Sequence, residues 1–481
     1  MKTKINISKL FLMGLILSGT FQFSVARIIR VPADRPTIRE GIQASSKGDT
    51  VVVSPGEYFE NLNFRGKNIV LTSLWYLDRD TSFIRTTIIN GSQPVQADSA
   101  SCVIFSHRED TSTVLQGFTL TGGKGTKWRD IHNGGLYREG GGILIELSSP
   151  IIRYNIIAHN KAIITTGGVE SAGGGGIRIG DGNPQILNNI IAFNQGKYGA
   201  GIVLNYTGVT IRNNLIAYNT GSNQFYGGSG IWSYNVHGTD ERIIENNTIV
   251  NNEATTGTTG TGGVLAYSCT LKLRNNIIWG NTPATKQTYN AEGGVVQATY
   301  CDVQNRLTGK GNINLDPLIG ADSFQLNALS PCIDKGDSTG VYNDPEEPLQ
   351  PGMAKNPARG TVRNDMGAYG GAGAAITGYI RSGIPSGFPA TLIPDKPELF
   401  QNYPNPASEY TAISYTLPGT ETVALKVTDL TGRVVSDFPV GLSSPGLHRF
   451  QLDVSGLQQG SYFYCLEARE QKMVKQMMVV R

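Results

Sequence analysis

One phrase returns five times between about Glu139 and Asn281, and it constrains the fold more than any other feature of the chain. It reads EGGGILIEL…IIRYNIIAHN, AGGGGIRIG…ILNNIIAFN, YGAGIVLN…IRNNLIAYN, GGSGIWSY…IIENNTIVNN and TGGVLAY…LRNNIIWGN. The Asn before the second apolar run of each phrase falls at Asn155, Asn189, Asn214, Asn247 and Asn276, in steps of 34, 25, 33 and 29 residues. A period in this range that tolerates insertions marks a solenoid, whose repeats bury their apolar side only against neighbours.

The apolar residues alternate, as in Ile143 and Ile145, Ile177 and Ile179, or Ile202 and Leu204. That is the period of a strand with one buried face. A second short strand follows at Ile157, Ile191, Ile216, Ile249 and Ile278, and β-branched residues dominate. The expected class is all-β: a right-handed parallel β-helix, followed by a small C-terminal β-sandwich. Asn suits both the left-handed bends between strands and a hydrogen-bonded amide ladder between coils about 4.8 Å apart. The five marker residues are therefore expected to be structural, as is a second column at Asn160, Asn194, Asn219, Asn252 and Asn281.

The chain has 481 residues, 60 of them Gly, with 16% charged content. Residues 1–26 carry a leader pattern: Lys2, Lys4 and Lys9, the short apolar core Leu10 to Leu17, then Ser24-Val25-Ala26. Such a core is too short to span a bilayer. Without that segment 41 − 3 = 38 basic residues face 38 acidic ones, so net charge gives no reason to expect nucleic acid as a partner. The five cysteines lack zinc spacing. Cys269 and Cys301 lie about one coil apart but one residue out of step, so buried free thiols are expected.

In the segment from Arg27, Thr37 and Glu40 have capping-box spacing, and Ile38 and Ile42 share a face of a short helix that covers the first coil. Val51 to Val53 and Ile69 to Leu71 follow as first rungs. GDTVVVSPGEYFENLNF resembles the opening of pectin-lyase-like β-helix proteins, a likeness that implies the fold. The methylesterase and polygalacturonase signatures GxDFIFG and GHG are not found. Residues 100–122 supply another coil, with Gly117 in the Asn place. The series GGVVQATYCDVQN, GNINLDPLI, SPCIDKGD and RNDMGAYGG resembles the end of secreted β-helix proteins with interchangeable anchors, and the β-helix is expected over 27–371. Asp334, Asp337, Asp344 and Asp365 there are either calcium ligands or turn caps, with turn caps favoured because EF-hand spacing is absent.

A Gly, Ala, Pro and Ser stretch, 372–394, reads as a linker. Beyond it, 395–481 alternates like a sandwich, and QNYPNP at 401–406, DLTGRVV at 429–435 and QGSYFY at 459–464 resemble the type A sorting domain of the type IX secretion system. The resemblance implies a secretion translocon as partner and a secreted or outer-surface location.

With the coils aligned at Ile143, Ile177, Ile202, Ile231 and Val264, the next residues outward are Leu144, Arg178, Val203, Trp232 and Leu265. Two further on come Glu146, Gly180, Asn205, Tyr234 and Tyr267. Trp232, Tyr234 and Tyr267 would form an aromatic patch near Asn205 and Arg178, suited to stacking on sugar rings. The loop 122–140 adds Lys124, Lys127, Arg129 and His132. A uronate lyase would draw its base from His132, Lys124 or Lys127 and its neutraliser from Arg178 or Arg129. A glycosidase would need two carboxyls, and Glu146 and Asp181 would stand roughly 6 Å apart on neighbouring rungs. Against both stands a polysaccharide-binding or purely structural surface protein, which needs no acid-base pair.

Overall fold

Each coil turns because its β-branched runs are short and its bends are occupied by Gly and Asn. In the computed structural model, residues 26–375 and 396–480 are described, apart from short breaks at 223, 229, 236–240, 256–259, 284–285, 321–322, 403–404, 419–420, 444–445 and 469–470. The leader expected over 1–26 lies outside the described residues except for Ala26, and so does the linker beyond residue 375.

Three all-parallel sheets of ten, nine and eight strands enclose the core of the right-handed β-helix, and a four-stranded parallel sheet edges it. The register is the one the alternation predicts. Ile143, Ile177, Ile202, Ile231 and Val264 pair in line, as do Ile157, Ile191, Ile216, Ile249 and Ile278. All ten are fully buried in one continuous core. A slip of one residue would turn every one of them to the outside.

The two residues at each Asn bend divide the work. The first takes the left-handed conformation, with φ of 54° at Tyr154, 53° at Asn188, 57° at Asn213, 51° at Asn246 and 55° at Asn275. The second makes the ladder, each amide Nδ2 donating to the next Oδ1 at 3.1, 3.0, 3.0 and 3.0 Å from Asn155 to Asn276. The second column, from Asn160 to Asn281, is bonded in the same way. This division corrects the placing of Gly117. Leu115 pairs with Ile152, which sets Gly117 level with Tyr154 and Phe118 in the ladder place, its N–H donating to Asn155 Oδ1 at 3.1 Å. Gly117, with φ of 82°, is the left-handed residue.

Thr37 caps the helix Ile38–Ala44, accepting the Glu40 N–H at 3.1 Å, and Ile38 and Ile42 join the end of the core. The first rung is a strand the sequence reading had missed, Ile28–Val31, paired with Thr50–Val53 ahead of Val70–Ser73.

At the other end the chain folds back along the outside. Phe324, Leu326, Cys332, Met366 and Tyr369 pack on Leu215, Ala217, Val250 and Ile277 of the nine-stranded sheet. The four closing Asp residues serve turns. Asp365 accepts from Asp334 N and Arg359 N, Asp344 from Asp365 N, Asp334 from Thr361 N, and Asp337 from Thr339 N.

All five cysteines are free, and all but Cys269 are buried. Cys301 extends the Asn column, accepting the Asn276 N–H at 3.3 Å. Thr270 pairs with Val295, so Cys269 is level with Gly294. The two thiols therefore lie at opposite ends of their strands rather than one residue out of step. The C-terminal segment forms antiparallel sheets of three and four strands around a separate core containing Ile413, Leu425, Tyr464 and Leu466.

Candidate functional site

The outer face of the eight-stranded sheet carries the columns expected of it: Leu144, Arg178, Val203, Trp232 and Leu265 in one row, Glu146, Gly180, Asn205, Tyr234 and Tyr267 in the next. Their direction is as expected and their exposure is not. The 122–140 insertion forms a hairpin, Gly125–Arg129 against Leu136–Glu139, that lies over this face.

Trp128 of the hairpin covers Arg178, with the guanidinium carbon 3.8 Å from the ring centroid. Arg178 is 1% exposed. Its Nε donates to Glu139 at 3.1 Å, and its Nη1 donates to Glu146 and to Ile145 O. Glu139 also accepts from Trp128 Nε1 at 3.0 Å and from the Tyr198 hydroxyl. Burial pushes the Glu139 carboxyl up, opposed by Arg178, Tyr198 and Trp128; burial and the Glu139 charge push the Tyr198 hydroxyl well up. Two glycines make the room. A Cβ at Gly173 would lie 2.6 Å from Tyr198 Cζ, and one at Gly180 would overlap the Arg178 guanidinium. Arg178 and Glu146 are thus locked to each other, which corrects their assignment as a free charge neutraliser and a free carboxyl.

The hairpin tip is an Asx turn. Asp130 Oδ1 accepts the His132 N–H at 2.7 Å, and His132 Nε2 meets Asp181 Oδ1 of another coil at 2.9 Å. The His132 ring stacks on Tyr206 with centroids 3.8 Å apart. Asp181 is therefore a partner of His132.

Between tip and sheet lies a cleft of about 170 Å³. Trp232, Tyr234 and Tyr267 form its floor, with centroids 5.2 to 6.0 Å apart. Tyr198 and Phe225 close one side, and Asp130, Asn133, Asn205 and Glu139 supply its polar edge. Trp232 is 6% exposed, its Nε1 donating to Phe225 O at 2.9 Å; Tyr234 and Tyr267 are half-buried. Lys124 bonds Ser92 O and Arg129 bonds Gly134 O, and neither lines the cleft. The sequence reading missed Glu139, Tyr198 and Phe225 as cleft residues. A larger depression of about 630 Å³ on the small edge sheet is shallow, lined by Ile163, Gln195, Lys197, Thr220 and Thr255, and gathers no acid among the described residues.

Among the described residues no helix is long and apolar enough to cross a membrane. A comparison with curated proteins finds no match. Residues 124–307, which include the hairpin and the cleft, match the right handed beta helix region family, and residues 401–480 match the secretion system C-terminal sorting domain. With the all-parallel sheets and the antiparallel tail, these matches make the chain a secreted β-helix protein bearing a type IX sorting tail, exported to the cell surface or beyond.

Proposed function

We propose that the protein binds polysaccharide at the cleft beneath the hairpin. The observation that carries this reading is the floor of Trp232, Tyr234 and Tyr267 beside Asp130, Asn133 and Asn205, on an outer sheet face held rigid by its register. Aromatic surface covers the apolar side of a sugar ring, and amide and carboxylate groups bond its hydroxyls. The fixed strand spacing positions these groups without a folding step on binding. The test is calorimetry of the mature full-length chain with acidic, neutral and basic polysaccharides. Tyr234→Ala and Tyr267→Ala should each weaken binding of the retained polymer by about tenfold, or about 1.4 kcal/mol. Retention unchanged in both variants would remove the cleft from the function.

Hydrolysis is the second reading, since Asp130 and Glu139 both line the cleft and two carboxyls are what glycoside hydrolysis requires. Binding is favoured because both Glu139 oxygens already accept protein donors. Reducing ends released from the retained polymer, and lost in Glu139→Gln, would reverse that preference.

A further inference from the structure

We infer that the cleft selects a saccharide bearing a protonated amine, an amino sugar, over N-acetylated, neutral or uronate sugars, on the strength of its acid-edged aromatic floor and an unmatched acceptor beside it. The inference rests on the carbohydrate reading above and names the class of sugar.

Four described cations near the hairpin are engaged elsewhere. Arg178 is held between Glu139 and Glu146 beneath Trp128, Lys127 bonds Gly167 O, and Lys124 and Arg129 bond carbonyls away from the cleft. Among the described residues no basic side chain lines the cleft, whereas Asp130 and Glu139 do. Arg178 is shared between Glu139 and Glu146, so it leaves Asp130 at the cleft edge without an ion-pair partner among the described residues. Glu292, bonded to the Tyr226 hydroxyl, adds an acid near Tyr267. The neighbouring phenols carry the same sign of field. Tyr267 is raised by burial and Glu292, and Tyr206 is pushed up to about 12 by burial, its bond to Tyr234 and, further down, Asp130.

Two acceptors in the wall lack adequate donors. Asn205 Oδ1 is buried with no donor among the described residues. Asp130, 3% exposed, receives Asn205 Nδ2 on Oδ2 at 3.5 Å, the limit of a hydrogen bond. An ammonium supplies three donors and a charge, meets the carboxylate in a charge-assisted bond, and is attracted by the ring faces. A uronate would set carboxylate against carboxylate in a site of reduced dielectric. An N-acetyl group keeps one N–H and loses the charge. At about 170 Å³ the cleft is below the ~300–1,000 Å³ of drug-sized pockets, so it takes one ring of a chain at a time.

The test is calorimetry of the mature full-length chain, near pH 6, with oligomers of glucosamine, N-acetylglucosamine, glucose and galacturonate. The glucosamine oligomer should bind at least about tenfold more tightly than the others, with galacturonate weakest. Asp130→Asn should weaken binding of the glucosamine oligomer by more than that of the neutral oligomer and so reduce the preference, and Tyr234→Ala should weaken all ligands. Because Asp130 also closes the hairpin turn, a second measure uses the unaltered protein: the preference should shrink as NaCl rises from about 20 to about 500 mM. Equal affinity for the amine and its acetylated form overturns the amino-sugar inference and leaves the carbohydrate reading standing. Tightest binding of galacturonate overturns the inference through its charge argument. No binding of any oligomer overturns both.

Discussion

Replacing Arg178 with Met tests whether the hairpin is held over the sheet by a buried charge cluster. The substitution keeps most of the side-chain volume under Trp128 and removes the cation between Glu139 and Glu146, whose side chains are 2% and 10% exposed. Three hydrogen bonds go, to Glu139, Glu146 and Ile145 O, and Glu146 Oε1 is already buried without a donor. Two carboxylates would then face each other with no counter-charge. Breaking a buried pair from one side costs about 3–5 kcal/mol. We expect a loss near the middle of that range at pH 8, read from urea unfolding by circular dichroism and Trp fluorescence. The loss should shrink on acidification. Glu139 already has its folded pKa raised by burial, with Arg178 opposing the rise. Without Arg178 it rises further, so the folded variant binds a proton more tightly than the unfolded chain and regains stability as pH falls through that window. Glu139→Gln and Glu146→Gln added to Arg178→Met should restore most of the loss. A stability at pH 8 equal to that of the parent, or a penalty that grows toward acid, would refute the account.

Asn214→Ala should cost about 3 kcal/mol or more, because it strips donors from Ile186 O and Arg212 O and leaves Asn189 N and Nδ2 without their acceptor. Asn276→Ala should cost less, since the onward contact of its side chain is to the Cys301 sulfur at 3.9 Å. Gly173→Ala, with its new methyl against the Tyr198 ring, should cost about 1–3 kcal/mol and weaken cleft binding by displacing Tyr198 from Glu139, both checked by unfolding and calorimetry. Thiol labelling of the folded chain should reach Cys269 first, because burial pushes Cys102 and Cys301 up to about 12 and Cys332 higher still. The fold-back segment should exchange its amide hydrogens faster, relative to the rest of the chain, at pH 9 than at pH 6. Burial pushes Asp344 up to about 8 and Asp365 up to about 7, so the native state binds extra protons below those values and loses that stabilisation as pH rises through them.

The register of the solenoid was legible because every misalignment exposes a column of Ile, and Ile143 to Val264 leave one alignment that buries them all. The bends were half legible. The Asn pair announces a bend, but which member is left-handed follows from Tyr154 and Gly117, residues that depart from the pair. The outward columns were legible in direction only. Whether Arg178 or Trp232 meets solvent depends on where the 122–140 insertion folds, and that is fixed by contacts with Asp181, Tyr206 and Arg178 on other coils. Glu139 left one usable trace. It stands four residues before Ile143, and the matching places in the next coils are Gly173 and Tyr198, so a missing side chain separates an acid from a phenol that can reach it.

A parallel stack also imposes an electrostatic constraint, since whatever stands in one column is repeated every 4.8 Å or so and like charges in neighbouring places repel. The ten-stranded sheet meets it by alternation. Arg212, Glu245 and Arg274 follow one another, with ion-pair distances of 2.8 and 3.9 Å, and Leu187 separates Arg212 from Arg153. The eight-stranded sheet meets it beneath the hairpin by flanking Arg178 with Leu144 and Val203 and giving it acids from adjoining places. The cleft is where the pattern is left unbalanced. Asp130 and Glu139 line it beside aromatic rings, and the Arg178 cation that pairs with Glu139 is sealed beneath Trp128. A rule kept in this column of the ten-stranded sheet and departed from where the 122–140 insertion folds gives the acid edge of the cleft a local origin.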